Sequence, residues 1–196
     1  MKARTASVLR ETRETKIQAR LNLDGEGRAK IRTGIPFLDH MLELFARHSL
    51  VDLDVRARGD LAVDYHHTVE DVGLVLGQVL DRALGDRRGI VRYGSAVLPM
   101  DESLSRVALD LGGRPYLVYD VPLRRRKIRD FDLGLLEEFF QAFVVQGRMN
   151  LHIKNLYGRE PHHVFESVFK GVARALGAAV ARDPRVKGVP SSKGKM

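Results

Sequence analysis

The sequence predicts an α+β fold made by tandem duplication of a β-β-β-α-β-α module, in which two four-stranded sheets sandwich a helix layer. Three observations predict it. Segments of period-two and period-3.6 hydrophobicity follow one another in the same order over residues 1–90 and again over 91–183. A pair of adjacent histidines, three and four residues ahead of a glutamate, recurs as His66-His67-Thr68-Val69-Glu70 and His162-His163-Val164-Phe165-Glu166. Four-stranded sheets with helices on one face bury those helices by packing helix to helix.

Each element has its own signal. Residues 3–10 and 15–23 are rich in strand formers, and Ile17, Ala19, Leu21 and Leu23 alternate with polar neighbours. Asp24-Gly25-Glu26-Gly27 is a turn, and residues 28–33 return as a third strand. Gly34-Ile35-Pro36 breaks that strand and opens a helix reaching about His48, with Phe37, Leu38, Met41, Leu42, Leu44 and Phe45 on its apolar face. Residues 50–58 alternate as a strand (Val51, Leu53, Val55), Gly59-Asp60 turns, and 69–84 is a helix carrying Val72, Val75, Leu76, Val79 and Leu80. The second half repeats the order. Residues 92–99 and 104–111 are strands, Gly112-Gly113 turns the chain, and 115–121 is a third strand. A helix over 132–146 carries Leu133, Leu136, Phe139, Phe140 and Phe143. A strand follows over 149–156, then a helix over 162–181 with Val168, Phe169, Val172, Ala175 and Leu176. Sliding the halves sets Leu53 against Leu151, Asp54 against His152 and His40 against Glu138. The tail, 184–196, has the Gly, Pro, Ser and Lys content of a disordered terminus. Its Ser191-Ser192-Lys193-Gly194 also offers the hydroxyls, ammonium and pliant backbone of a phosphate clamp.

Composition bounds the function. The chain has 196 residues, 44% hydrophobic and 30% charged, enough for a real core. No apolar run is long enough to span a membrane, and Met1-Lys2-Ala3-Arg4-Thr5 carries no apolar signal, so a cytoplasmic protein with no membrane partner is expected. The absence of cysteine excludes disulfides, thiolate metal sites and a cysteine nucleophile. A net charge of +8 and a pI near 10.0 suit anionic partners, either nucleic acid or a small phosphorylated substrate. No helix-turn-helix, zinc finger or aromatic stacking pattern supports nucleic acid, and Arg124-Arg125-Arg126-Lys127 reads as an exposed loop or strand end.

The histidines carry the chemistry. Four of the seven sit in the two pairs. On a helix each glutamate falls beside its histidines, and imidazole with carboxylate is a ligand set for Mn, Fe or Zn. Adjacent helical residues point about 100° apart, so one pair does not easily hold one ion. Two pairs can hold two ions if each ion takes one histidine from each pair. A single copy reads as a polar helix start; the second copy turns the reading to a metal site. Taken alone, His40 reads as a packed helix histidine and Glu14 as a surface carboxylate.

Read together, these motifs resemble the imidazoleglycerol-phosphate dehydratase family of histidine biosynthesis. The resemblance rests on Phe37-Leu38-Asp39-His40-Met41, Asp64-x-His66-His67-Thr68-x-Glu70-Asp71, Gly113-Arg114-Pro115-Tyr116, Leu151-His152-Ile153, His162-His163-x-x-Glu166-x-x-Phe169-Lys170, Ala173-Arg174-Ala175-Leu176 and Pro190-Ser191-Ser192-Lys193-Gly194. It covers essentially the whole chain. It implies the monofunctional enzyme, which dehydrates imidazole glycerol phosphate to imidazole acetol phosphate at two Mn ions. It implies one ion on His66, His152, His162 and Glu166, and the other on His40, His67, Glu70 and His163. Several of these ligands, namely His40, His66, His67, Glu70, His162 and His163, would also contact substrate. Arg92, Arg114, Ser191, Ser192 and Lys193 match its substrate-phosphate contacts, Lys170 and His48 match positions lining the site, and Glu14 matches a glutamate near the reacting carbons. The proton to be removed has no neighbouring carbonyl, so the expected route is a metal-stabilised imidazolate, with Glu14 as acid/base and Glu166 or a metal-bound water as rivals. A homo-oligomer of 24 subunits with shared metals is implied. One departure is Glu160, followed by Pro161, where the family usually has Asn. Two other classes remain open on the residues alone: another dinuclear metalloenzyme, such as a phosphoester hydrolase, and a basic nucleic-acid-binding module.

Overall fold

The structure, a computed structural model, describes residues 3–122, 125–194 and 196, so Arg124 of the basic run and Met1-Lys2 lie outside the described residues. The first half has strands β1 (Thr5–Glu11), β2 (Thr15–Asn22) and β3 (Ala29–Arg32), helix α1 (Pro36–Ser49), strand β4 (Asp52–Gly59) and helix α2 (His66–Leu84). The second has β5 (Tyr93–Met100), β6 (Ser103–Asp110), β7 (Tyr116–Asp120), a short ribbon of β8 (Lys127–Ile128) and β9 (Phe131–Asp132), then α3 (Leu135–Gly147), β10 (Asn150–Tyr157) and α4 (Pro161–Val180). The sheets have strand orders β1-β2-β4-β3 and β5-β6-β10-β7, the same topology twice. In each, the third strand pairs parallel to the fourth, and the intervening helix makes the crossover. The duplicated α+β fold is therefore present.

Two boundaries moved for local reasons. Helix α2 begins at His66, because the Asp64 carboxylate accepts the His66 N–H at 2.7 Å. Helix α3 begins later than its apolar period, because Asp132 belongs to the ribbon and accepts the Gly134 N–H at 2.9 Å. The ribbon itself has strands too short to show a period of two.

The helix layer joins the halves crosswise. Helix α2 lies on β1 and β2 and packs against α3; α4 lies on β5 and β6 and packs against α1. Gly73 and Gly77 allow the first seam, since a Cβ on Gly77 would stand 2.6 Å from the Phe143 carbonyl and one on Gly73 would strike that of Phe139. Phe139, Phe140 and Phe169 form the centre of the core, with rings 5.0 to 5.8 Å apart across α3 and α4. The outer face of each sheet stays open. On the first it is mainly charged, with Lys16, Arg20, Asp54 and Arg56; on the second, Val97, Tyr116 and Val118 are exposed around His152.

The tail is tied down, against its composition. Gly89 donates to the Gly188 carbonyl at 3.0 Å, and Arg92 Nη1 to that of Pro190 at 2.7 Å. Ser191 to Gly194 then form a turn, closed by Gly194 N–H on the Ser191 carbonyl at 3.1 Å. No helix among the described residues is long and apolar enough to cross a membrane.

Candidate metal centre

Helix α4 begins at Pro161, whose missing N–H costs nothing in the first turn. Glu160, at the position where Asn is usual, is its N-cap and accepts the His162 N–H at 3.4 Å. The first turn presents His162, and Glu166 follows one turn later on the same face. His162 Nε2 and His40 Nε2, the latter from α1, lie 3.1 and 3.2 Å from the same oxygen, Glu166 Oε1. Among the described residues these three donors alone converge, all within 4.8 Å of one another. Glu166 is only 8% exposed. Burial pushes its carboxyl up, but hydrogen bonds from Lys170 and His40 outweigh burial and hold it at about 2. An anionic carboxylate and two imidazoles converging at a helix start form a donor set that fits a divalent transition ion. Lys170 covers the other oxygen, Glu166 Oε2, and reaches Met100 Sδ at 3.3 Å. His48, two turns along α1 from His40, is kept below the usual imidazole range by burial and by the charges of Lys170 and Arg174.

His163 faces elsewhere. Its Nδ1 meets Glu102 Oε2 at 2.7 Å, and its Nε2 lies 3.7 Å from Asp101 Oδ2. The Glu102 hydrogen bond holds His163 above its ordinary range. Hydrogen bonds from the Glu160 N–H and from His163 hold the Glu102 carboxyl far below the usual carboxylate range.

The start of α2 forms a second, more open cluster. His66 Nε2 lies 3.4 Å from Glu70 Oε2, and both side chains are more than 40% exposed. His67 Nδ1 meets Asp60 Oδ2 at 3.0 Å, and that contact holds His67 above its ordinary range. Glu14 Oε2 stands back at 4.0 Å from the same nitrogen. An aromatic ridge runs between the clusters: Phe37 packs on His162 and Phe131, and Phe131 stacks on Tyr65, the residue before His66. Tyr65 is pinned by its hydroxyl donating to Asp130 at 2.5 Å.

The structure thus groups His40, His162, Glu166, Lys170 and His48 along the α1–α4 seam, and His66, His67, Glu70 and Glu14 at the start of α2. It does not gather within one chain either four-ligand set implied by the resemblance. His152 stands apart on the outer face of the second sheet, opposite Ala108 and Val118. The residues expected at a phosphate form a third cluster. Arg92 makes two contacts to Asp110, at 2.6 and 3.0 Å, and carries the Pro190 carbonyl that leads into Ser191 and Ser192. Lys193 N–H caps on Ser191 Oγ at 3.2 Å, and the Arg114 carbonyl accepts from Asn150 at 2.7 Å beside Gly113, which abuts Met196. This cluster lies at the far end of α4, because Arg92 N–H donates to the Ala179 carbonyl. From His162 to Ala179 the helix rises roughly 25 Å.

Sequence reasoning missed Glu102, Asp60 and the Phe131 ribbon. The register of the sheets holds a signal for the first. Leu21 pairs with Leu53 and Leu109 with its counterpart Leu151, and Glu14 and Glu102 each stand seven residues before those leucines.

Comparison with known proteins agrees with this geometry. The family model for imidazoleglycerol-phosphate dehydratase matches residues 33–176. The imidazoleglycerol-phosphate dehydratase of Azorhizobium caulinodans is 58% identical over 194 residues, covering 98% of both chains. That of Symbiobacterium thermophilum is 58% identical over 193 residues, covering 98% of this chain and 93% of its own. The crystal structure of the Staphylococcus aureus enzyme superposes with a TM-score of 0.83 at 39% identity, covering 91% of this chain and 99% of the other. That of the Pyrococcus furiosus protein gives 0.84 at 34% identity, covering 96% and 100%. With the duplicated fold, the histidine pairs and near full-length likeness in agreement, the chain belongs to the imidazoleglycerol-phosphate dehydratase family.

Proposed function

We propose that this chain removes water from imidazole glycerol phosphate to give imidazole acetol phosphate in histidine biosynthesis, using two Mn ions per active site. The observation that carries the reading is the convergence of His40, His162 and Glu166 at the start of α4. Bound Mn would supply the Lewis acidity that lets the imidazole ring accept an electron pair, which a carbon with no adjacent carbonyl needs. The chain's own groups do the rest. Lys170 keeps Glu166 anionic and ready to ligate. Glu14, with a side chain more than half exposed beside His67, is free to take up and return a proton. Arg92, Arg114, Ser191, Ser192 and Lys193 supply guanidinium, hydroxyl and ammonium donors suited to the phosphate.

The active site is shared between copies of the chain. The metal and phosphate clusters of one chain stand at opposite ends of α4, too far apart for one small substrate. The exposure of His152 on the outer sheet face, away from the other expected ligands, supports the same reading. An assembly of 24 subunits with bridging metals meets both needs. The test is metal content of the purified protein alongside dehydration with and without added Mn. About two Mn per chain with Mn-dependent dehydration is expected. Bound metal with phosphoester hydrolysis and no dehydration would overturn the assignment.

A further inference from the structure

We infer that Glu102 is a positioning residue that sets the proton of His163 on Nδ1 and so leaves Nε2 open to a metal ion. This rests on the metal reading above. Glu102 sits in the β5–β6 turn and uses both oxygens. Oε1 accepts the backbone N–H of Glu160 at 2.8 Å and of Arg159 at 3.0 Å, with Ser103 Oγ at 3.1 Å. Oε2 meets His163 Nδ1 at 2.7 Å. A carboxylate only accepts, so Nδ1 is the ring nitrogen that carries the hydrogen, and in the neutral ring Nε2 keeps its lone pair. The same side chain locks the loop that leads into α4.

The other half shows why the task falls on Glu102. Its counterpart Glu14 holds back from His67, whose Nδ1 is taken by Asp60. Asp60 follows Gly59 at the end of β4. The matching glycine after β10 is Gly158: a Cβ on Gly59 would strike Thr68 and one on Gly158 would stand 2.6 Å from Val164, each two residues past the first histidine of its pair. The residue after Gly158 is Arg159, a cation that cannot accept a hydrogen bond. The second half therefore lacks an Asp60, and its turn glutamate holds the histidine instead. In the first half Asp60 does that work and Glu14 is released.

The test is Glu102→Gln. The two backbone amides keep the glutamine carbonyl oxygen over them, which turns its NH2 onto His163 Nδ1 and drives the ring proton to Nε2. Titration with Mn alone, followed by the EPR signal of free Mn, should show one site weakened about 10- to 100-fold and the other unchanged. The melting temperature of the metal-free protein should stay near wild type. Wild-type Mn affinity at both sites in E102Q would overturn the inference, whereas a wild-type protein that binds no Mn would remove the metal reading beneath it. If E102Q does not fold, E102D and E102A decide: the aspartate should retain more Mn affinity than the alanine, and equal loss in both would overturn the role.

Discussion

The starts of α2 and α4 carry the same ligand types on duplicated scaffolds, yet among the described residues three donors converge only at α4. At α4, Glu166 receives His162, His40 and Lys170 and is 11% exposed at its side chain. At α2, Glu70 receives only His66 among the described residues, at 3.4 Å, and is 47% exposed. The missing partners are traceable. In α3 the counterpart of His40 is Glu138, a carboxylate where the first half offers an imidazole. In α2 the counterpart of Lys170 is Leu74, which offers no charge. Duplication thus leaves one buried cluster of three converging donors at α4 and one open cluster at α2. The freed carboxylate, Glu14, stands at the open centre.

The largest effect tests that division of labour. Glu14→Gln removes the proposed proton carrier, which stands back from His67 at 4.0 Å. Turnover should fall about 10²- to 10⁴-fold, the usual worth of general acid–base catalysis, while Mn content stays normal. Its counterpart variant E102Q should do the reverse, losing Mn affinity first. If Glu14→Gln also lost its Mn, the two glutamates would not have separate roles and the comparison would break.

A smaller effect probes the seams that hold the two centres apart. Gly73 and Gly77 let α2 approach α3, as Gly177 lets α4 approach the Ser49 carbonyl of α1. Gly73→Ala would place a methyl on the Phe139 carbonyl, backbone that cannot swing aside. A loss of about 1–3 kcal/mol is expected from overpacking, offset in part by the better helix propensity of alanine. Urea unfolding of the metal-free protein measures it. Unchanged stability would mean that α2 and α3 can slide apart freely.

Much of this was legible in residues, and the rest fails to be so for physical reasons. The strand alternation at Ile17, Ala19 and Leu21 is written by a sheet with one buried face, and the helix of Leu136, Phe139, Phe140 and Phe143 by a core on one side. The histidine pairs were legible because two copies of so rare a pattern share one offset to glutamate. That His40 joins Glu166 was not, because it depends on α1 crossing to α4 of the other half, 126 residues away. Glu102 was invisible because its partners include backbone amides, which leave no pattern in side-chain chemistry. The tail misled through its composition: its anchors, such as the Gly188 and Pro190 carbonyls, are main-chain groups that every residue possesses.

The smallest effect concerns His48, and it sharpens the comparison of the seams. Its counterpart on α3 is Gln146, which accepts a hydrogen bond from Gln78 at 3.2 Å, and the counterpart of Gln78 on α4 is Arg174. One seam therefore holds a neutral amide pair and the other a histidine beside cations. Burial, Lys170 and Arg174 all disfavour the His48 imidazolium, so its folded pKa lies below its unfolded one. The unfolded chain then binds more protons, and the stability this histidine contributes is full above about 6.5 and falls as pH drops below it. His67 and His163 act in the opposite sense, since Asp60 and Glu102 raise them: their contribution is full below that pH and is lost as pH rises. A difference between proteins isolates His48. His48→Gln copies the amide of the other seam, and its metal-free form should lose less melting temperature than wild type between pH 7.5 and 5.5. Parallel pH profiles for the two proteins would show that His48 accepts its proton in the folded chain as easily as in the unfolded one, and that the two seams do not differ in charge tolerance.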